Sequence, residues 1–255
     1  MKRIVVIGSG NLAEALAQAL ARAEVGLVQI WARNAERAAH LGALCGVPYA
    51  SRAEALAEAD LYLVAVSDRA VGEVTASLPI PAEALVAHTA GSVPIEVLPT
   101  PRRGAFYPFQ SFTAGRQVDF RPIPIFIEAS EPQDLALLRE VAERLSDRVE
   151  EADGEQRRRI HLSGVFACNL VNALYGVGEE VVRQAGFSFE ILKPLILETA
   201  QKAIASHHPS EVQTGPAVRG DQAVQEQHLR MIQSDTIRQI YALLSHRIWE
   251  TSKKM

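Results

Sequence analysis

The apolar run Val5-Val6-Ile7 leads straight into Gly8-Ser9-Gly10-Asn11-Leu12-Ala13, a GxGxxA pattern that a helical pattern then follows. Those residue types at that spacing suit the binding of a dinucleotide pyrophosphate. A tight turn requires Gly8, close backbone approach to the phosphates requires Gly10, and small Ala13 lets the helix lie close against the strand. Gly8, Ser9, Gly10, Asn11 and Leu12 are therefore the expected phosphate-binding residues, because free N–H groups at a helix start attract an anion. About 20 residues beyond such a fingerprint an acid normally accepts from the ribose 2′-hydroxyl of NAD. Here the segment reads Trp31-Ala32-Arg33-Asn34, with no acid in reach. Arg33 offers a fork of donors to a 2′-phosphate instead, so NADP is the expected cofactor, with Arg33 and Asn34 at its ribose. Arg37, one turn on, is either a second donor or surface charge.

Other residues could move protons or hold a substrate. His88 closes an apolar run and has the imidazole pKa suited to a general acid; the alternative is a strand-end histidine bonded to backbone. His161, Val165, Cys168 and Asn172 fall at i, i+4, i+7 and i+11, one stripe of a helix, with Asn169 beside it. Arg157-Arg158-Arg159 reads as a solvated helix face, since sequence neighbours point in different directions. In Thr214-Gly215-Pro216-Ala217-Val218-Arg219-Gly220-Asp221, Arg219 could clamp a carboxylate and Thr214 donate to one, while Asp221 looks like a helix N-cap. His207-His208 makes no metal site, because adjacent side chains diverge and no third ligand is evident. No metal is expected.

These residues need a scaffold. Up to residue 152, short β-branched runs alternate with helical patterns, which signals βαβ units and a parallel sheet. The expected strands are Arg3 to Ile7, Leu27 to Ala32, Leu61 to Val66, Ala84 to His88 and Gly104 to Tyr107, with a weaker one at Pro48 to Ala50. Ile123 to Ile127, flanked by Pro122 and Pro124, is expected at a sheet edge. From residue 153 the pattern is helical: a helix of about 30 residues from an Asp153 N-cap to Gln184, then Phe189 to Ser206, then Asp221 to Ser252 broken near Ser234-Asp235. The expected fold is α/β, a Rossmann doubly wound parallel sheet over residues 1–152 and an all-helical domain over 153–255.

Ile7-Gly-Ser-Gly-Asn-Leu-Ala-Glu-Ala-Leu16 resembles the opening of pyrroline-5-carboxylate reductases and of coenzyme F420-dependent NADP oxidoreductases. Together with His88-Thr-Ala-Gly-Ser92, Phe106-Tyr-Pro-Phe-Gln-Ser-Phe112 and Thr214 to Asp221, it is similar to a narrower family that joins a Rossmann-like NADP-binding domain to a helical domain of unknown function. The resemblance covers nearly the whole chain. It implies that Val66, Ser67 and Asp68 pass under the cofactor's ribose and pyrophosphate. It also implies that the loops after the fifth and sixth strands flank the nicotinamide, which makes His88, Thr89, Ala90, Gly91 and Gln110 site candidates. Similar hydroxyacid dehydrogenases carry a catalytic Lys, with an Asn four residues later, on the interdomain helix. Asn169 could take the place of that Asn, but Val165 stands where the Lys would be, so His161, His88 or a water would have to supply the proton. A Gly-rich loop holds the substrate carboxylate in similar reductases, which favours Thr214 and Arg219 as substrate contacts. The helical domains of such relatives commonly mediate homodimers.

Composition limits the alternatives. Lys plus Arg at 26 against Asp plus Glu at 30 gives a net charge of -4, so no basic field gathers nucleic acid or anionic membrane. The first apolar run stops at Gly8, too short for a signal peptide, and no stretch is expected to reach membrane-spanning length. Two cysteines, Cys45 and Cys168, are too few for a disulfide scaffold and fit a reducing compartment. The expectation is a cytoplasmic NADP-dependent oxidoreductase acting on a carbonyl or imine of a small, acidic substrate. The rival is an NADPH-binding sensor or scaffold without turnover.

Overall fold

Along Ile4–Ile7 (β1), Ile4 and Val6 face one side of a sheet and Val5 and Ile7 the other, as the two-residue period of a strand requires. All four are fully buried, so both faces of this strand are covered. The structure is a computed structural model and describes residues 2–253. The other strands are β2 (Leu27–Trp31), β3 (Tyr49–Ala50), β4 (Leu61–Val64), β5 (Leu85–His88), β6 (Arg103–Pro108), β7 (Ile125–Ala129) and β8 (Val149–Glu151). They form one sheet in the order β3-β2-β1-β4-β5-β6-β7-β8. Every neighbouring pair is parallel except β6 and β7. The chain winds outward from β1 in one direction and then restarts at β4 in the other, so the switch point lies between β1 and β4, where an open α/β sheet forms its ligand crevice.

Helices α1 (Asn11–Arg22) and α4 (Pro132–Leu145) pack Leu16, Leu20, Leu138 and Val141 against Ile4, Val6, Leu63 and Phe106. On the opposite face Val71 and Val74 of α3 (Val71–Ala76) meet Val5, Tyr62, Val64 and Val86. Each such large apolar side chain contributes roughly 1.5–3 kcal/mol by leaving water. Helix α2 (Ala35–Cys45) starts at Asn34, whose side chain accepts from the Arg37 N–H at 2.9 Å, and ends at Gly46 in the left-handed region.

One expectation about the sheet changes here. The strand near Pro122 and Pro124 is not at an edge: β7 lies between β6 and β8. Both prolines precede its first residue, and Ile125 N–H donates to the Arg148 carbonyl at 2.8 Å, so neither ring interrupts the pairing. The edge is instead β8, too short and too acidic to read as a strand.

The sheet ends at Glu151 and α5 (Gly154–Gly164) begins beyond Asp153. The division into two compact units nevertheless falls later, between Cys168 and Asn169, because Arg157 and Gly164 of α5 pack onto the sheet unit. The second unit comprises α6 (Val171–Gln184), α7 (Lys193–Ala205), the short α8 (Pro216–Arg219), α9 (Gln222–Met231) and α10 (Asp235–Ser252).

Between α5 and α6, Val165–Leu170 is a π-helical segment. A π segment breaks regular α-helical spacing, so the i, i+4, i+7, i+11 stripe expected of His161, Val165, Cys168 and Asn172 does not run through it unbroken. The whole helix Gly154–Gln184 also contains an 18-residue window of mean hydropathy 1.4, long and apolar enough to cross a bilayer by length and composition. This corrects the expectation that no stretch reaches membrane-spanning length: Ser163, Asn169 and Asn172 interrupt the apolar run, but the surrounding apolar residues keep the average high.

Candidate functional site

The crevice at the switch point is lined by Gly8, Ser9, Gly10, Asn11 and Leu12 from the β1–α1 turn, by Trp31 to Asn34 after β2, and by Ala65, Val66 and Ser67 after β4, with Val74. The expected phosphate and ribose residues, Asp68 excepted, thus meet in one pocket. Gly8 has a φ of +134°, and a Cβ there would lie 2.1 Å from the Ala65 carbonyl oxygen. Only glycine lets β1 and β4 end this close together. Gly10, by contrast, faces open space. It is also the N-cap of α1, and no side chain caps that helix start. Its orphan N–H groups are left for an anion, which is what a dinucleotide pyrophosphate would need.

Arg33 is exposed on the pocket wall and makes no side-chain hydrogen bond among the described residues. The Asn34 carbonyl oxygen is committed to the α2 cap. Arg37 has a definite structural job: its guanidinium donates to the Ser9 carbonyl at 3.0 Å and pairs with Glu14 at 3.1 Å. Glu14 in turn accepts from Gly115 N–H at 3.0 Å, and Asn11 Nδ2 donates to the Phe112 carbonyl at 3.1 Å. The long connection from β6 to β7 is thereby tied to the phosphate loop.

The ends of β4, β5 and β6 bring a second group together in the same unit. His88 closes β5 with no exposed surface. Its Nδ1 accepts from Ala90 N–H at 3.2 Å and its Nε2 has no partner. Burial, then the Arg157 charge, lowers its pKa to about 4, which favours the uncharged ring at neutral pH. Thr89 is buried and bonded to the Val64 carbonyl. Ala90 and Gly91 are buried as well. Asp68 is exposed and accepts from Ser92 Oγ at 2.5 Å.

Gly91 sits against two side chains that sequence reasoning did not pair. A Cβ at that position would lie 2.7 Å from His161 Nδ1 and 2.7 Å from Tyr107 Cζ. The Tyr107 hydroxyl and His161 Nδ1 are 3.1 Å apart, a hydrogen bond across 54 residues of chain. Both side chains are half-buried. Burial first and Asp68 second raise the Tyr107 pKa to about 12, with Arg157 opposing.

Arg157 itself overturns the reading of its triplet as a solvated face. It is fully buried, ion-paired with Glu128 of β7, and donates to the Val93 carbonyl at 2.7 Å. Gln110 is exposed, and its side-chain oxygen accepts from Ser111 N–H at 2.9 Å.

Three candidates belong to the helical unit. Asn169 is exposed within the π segment. Thr214 and Arg219 are also exposed, and neither side chain has a hydrogen-bond partner among the described residues. Asp221 caps α9 by accepting from Val224 N–H at 3.2 Å, as its sequence position suggested. Among the described residues no three His, Cys, Asp or Glu side chains converge as metal ligands.

Two family models match the chain: residues 3–91 match the family described as NADP oxidoreductase coenzyme F420-dependent, and residues 123–248 match a domain of unknown function, DUF2520. The solved structure of protein BF3122 from Bacteroides fragilis, which its name places with the NADP oxidoreductases, is 42% identical, with 98% of each chain covered and a TM-score of 0.89. Protein TM1727 from Thermotoga maritima is 21% identical over 98% of this chain and 99% of that one, with a TM-score of 0.82. A pyrroline-5-carboxylate reductase from Coxiella burnetii shares the fold at 18% identity and a TM-score of 0.55, covering 99% of this chain and 98% of its own. No curated protein matches the chain.

Proposed function

The chain belongs to the NADP oxidoreductase family described as coenzyme F420-dependent, and from that membership and the crevice geometry we propose that it uses NADP(H) to reduce a carbonyl or imine of a small, acidic substrate. Membership makes it an oxidoreductase with a nicotinamide cofactor and sets aside a sensor without turnover. The observation that carries the proposal is the uncapped start of α1 opening into the same crevice as the unpaired, exposed Arg33.

In this reading Gly8, Ser9, Gly10, Asn11 and Leu12 hold the pyrophosphate, Arg33 and Asn34 the 2′-phosphate end, and Val66, Ser67 and Asp68 the ribose. When bound, the reduced cofactor supplies a hydride from its nicotinamide ring. Thr89, Ala90 and Gly91, buried at the end of β5, give the site a dry, rigid wall, which strengthens every polar interaction beside it. Gln110 remains a candidate substrate contact through its free amide N–H groups, and Thr214 and Arg219 remain candidates for a substrate carboxylate. Asn169 is kept as a polar contact of the helical unit.

The protein acts as a soluble, cytoplasmic homodimer in this proposal. Among the described residues from Asn169 on, only Ala217 is buried, while Leu170, Leu174, Val181, Ile191, Leu195, Ile204 and Leu243 are exposed. Such a helical unit lacks a core of its own, and a second copy would supply one with the same self-complementary helices. Glu179–Arg183, Glu198–Lys202 and Asp235–Arg238 ion pairs on those helices argue against a bilayer as the cover.

The test is NADPH oxidation, followed by absorbance, with glyoxylate and with Δ1-pyrroline-2-carboxylate. Turnover of either probe is expected. Tight NADPH binding with neither probe reduced would contradict the proposed substrate class.

A further inference from the structure

We propose that Tyr107 is the catalytic acid of this site and that His161 is its positioning and proton-relay partner, the two being pressed together over the Gly91 backbone; this rests on the reductase reading above. Val165 stands where the resemblance to hydroxyacid dehydrogenases implies a lysine, and His88 is fully buried, which favours its uncharged form. At the end of β6 the half-exposed Tyr107 hydroxyl carries a transferable proton and has a second titratable group, His161, within hydrogen-bond reach.

The geometry accounts for the direction of transfer. With His161 in its Nδ1–H form, the ring donates to the Tyr107 oxygen, and the phenolic proton is free to point at a substrate. As the substrate's electrophilic carbon receives the electron pair and becomes reduced, its oxygen or nitrogen takes the Tyr107 proton. The phenolate left behind takes the Nδ1 proton of His161, and the imidazole takes a proton from solvent at Nε2. Over these three transfers the substrate gains one proton and solvent loses one; His161 is left as its Nε2–H tautomer, and exchange with solvent, a proton gained at Nδ1 and one lost from Nε2, restores the starting Nδ1–H form.

The surroundings support an acid rather than a base. Tyr107 bonds to His161 and lies within the fields of the Asp68 and Arg157 charges, and its pKa, pushed up to about 12 by burial and Asp68, keeps the hydroxyl protonated through the neutral range. A developing alkoxide is more basic still, so transfer from the phenol runs downhill. Gly91 is the structural requirement: any side chain there would wedge between loop and pair.

The test combines spectra of the protein alone with kinetics. In the cofactor-free protein carrying ¹⁵N-histidine, His161 is expected to show a protonated Nδ1, and Tyr107→Phe should shift that signal. An unprotonated Nδ1 accepting from Tyr107 would overturn the proposal, because the proton would then point away from substrate. With glyoxylate or Δ1-pyrroline-2-carboxylate, Tyr107→Phe should lower kcat by about 100-fold or more while NADPH affinity, read by nicotinamide fluorescence, stays within about threefold. His161→Ala should lose rate that added imidazole restores, which a merely structural histidine would not allow. If wild type reduces a probe and Tyr107→Phe does so at nearly the same rate, the proposal fails and the reductase reading stands. If wild type binds NADPH but reduces neither probe, both fail.

Discussion

Burial in the sheet, with the Arg157 guanidinium nearby, keeps the His88 imidazole neutral with a pKa lowered to about 4. The unfolded chain takes up that proton near the ordinary value of about 6.5. Between the two values the unfolded state therefore binds more protons than the folded one. The contribution is fully present above about pH 6.5 and is lost as pH falls toward about 4, by roughly 3 kcal/mol in total. Urea unfolding across that window should show this slope in wild type and a shallower one in His88→Gln; equal slopes would mean the ring is not held neutral. Single residues were unevenly legible in the sequence. Gly8 was readable because the conflict it relieves, with Ala65 at the end of β4, is built into every strand–turn–helix of this type. Arg157 was not, because its triplet offers no sign that Glu128, 29 positions earlier on another element, will draw one of the three arginines inside. Nor was the Tyr107–His161 pair, for the same reason of distance along the chain.

At the scale of elements, the start of α5 carries a full capping box: Asp153 Oδ1 accepts from Gln156 N–H at 2.8 Å, and the Gln156 side chain accepts from Asp153 N–H at 2.9 Å. Because the first turn of α5 presents Arg157 to Glu128 and Val93, fraying there would loosen a buried ion pair. Asp153→Ala should cost about 1 kcal/mol in chemical denaturation and speed amide exchange in the first turn of α5, whereas unchanged exchange would show that packing alone fixes this end. Strand and helix locations followed from period and caps, including the break before Asp235, where Ser234 caps α10. The exceptions were β8, whose short acidic run carries no hydrophobic alternation, and the π segment, since one inserted residue in a helical turn leaves no trace in composition.

For the whole molecule, the mostly parallel sheet and the change to helices near residue 152 were legible because βαβ alternation and helical periodicity persist over many residues. The later division into units was not, because it depends on which turns of one long helix pack on the sheet. Exposed Leu195 and Ile204 on α7 give the dimer a direct check. Sedimentation equilibrium should find two copies for wild type, and Leu195→Glu with Ile204→Glu should yield monomer or aggregate; a stable, folded wild-type monomer would contradict the dimer. Every functional statement depends finally on a nicotinamide dinucleotide binding at the β1–β4 crevice with Arg33 reading its 2′-phosphate. The most direct measurement is calorimetric titration with NADPH and NADH in parallel on wild type and Arg33→Ala. We expect NADPH to bind wild type at least about tenfold more tightly, the equivalent of about 1.4 kcal/mol, and Arg33→Ala to lose that preference while still binding NADH. Failure of both dinucleotides to bind wild type would contradict the account at its root.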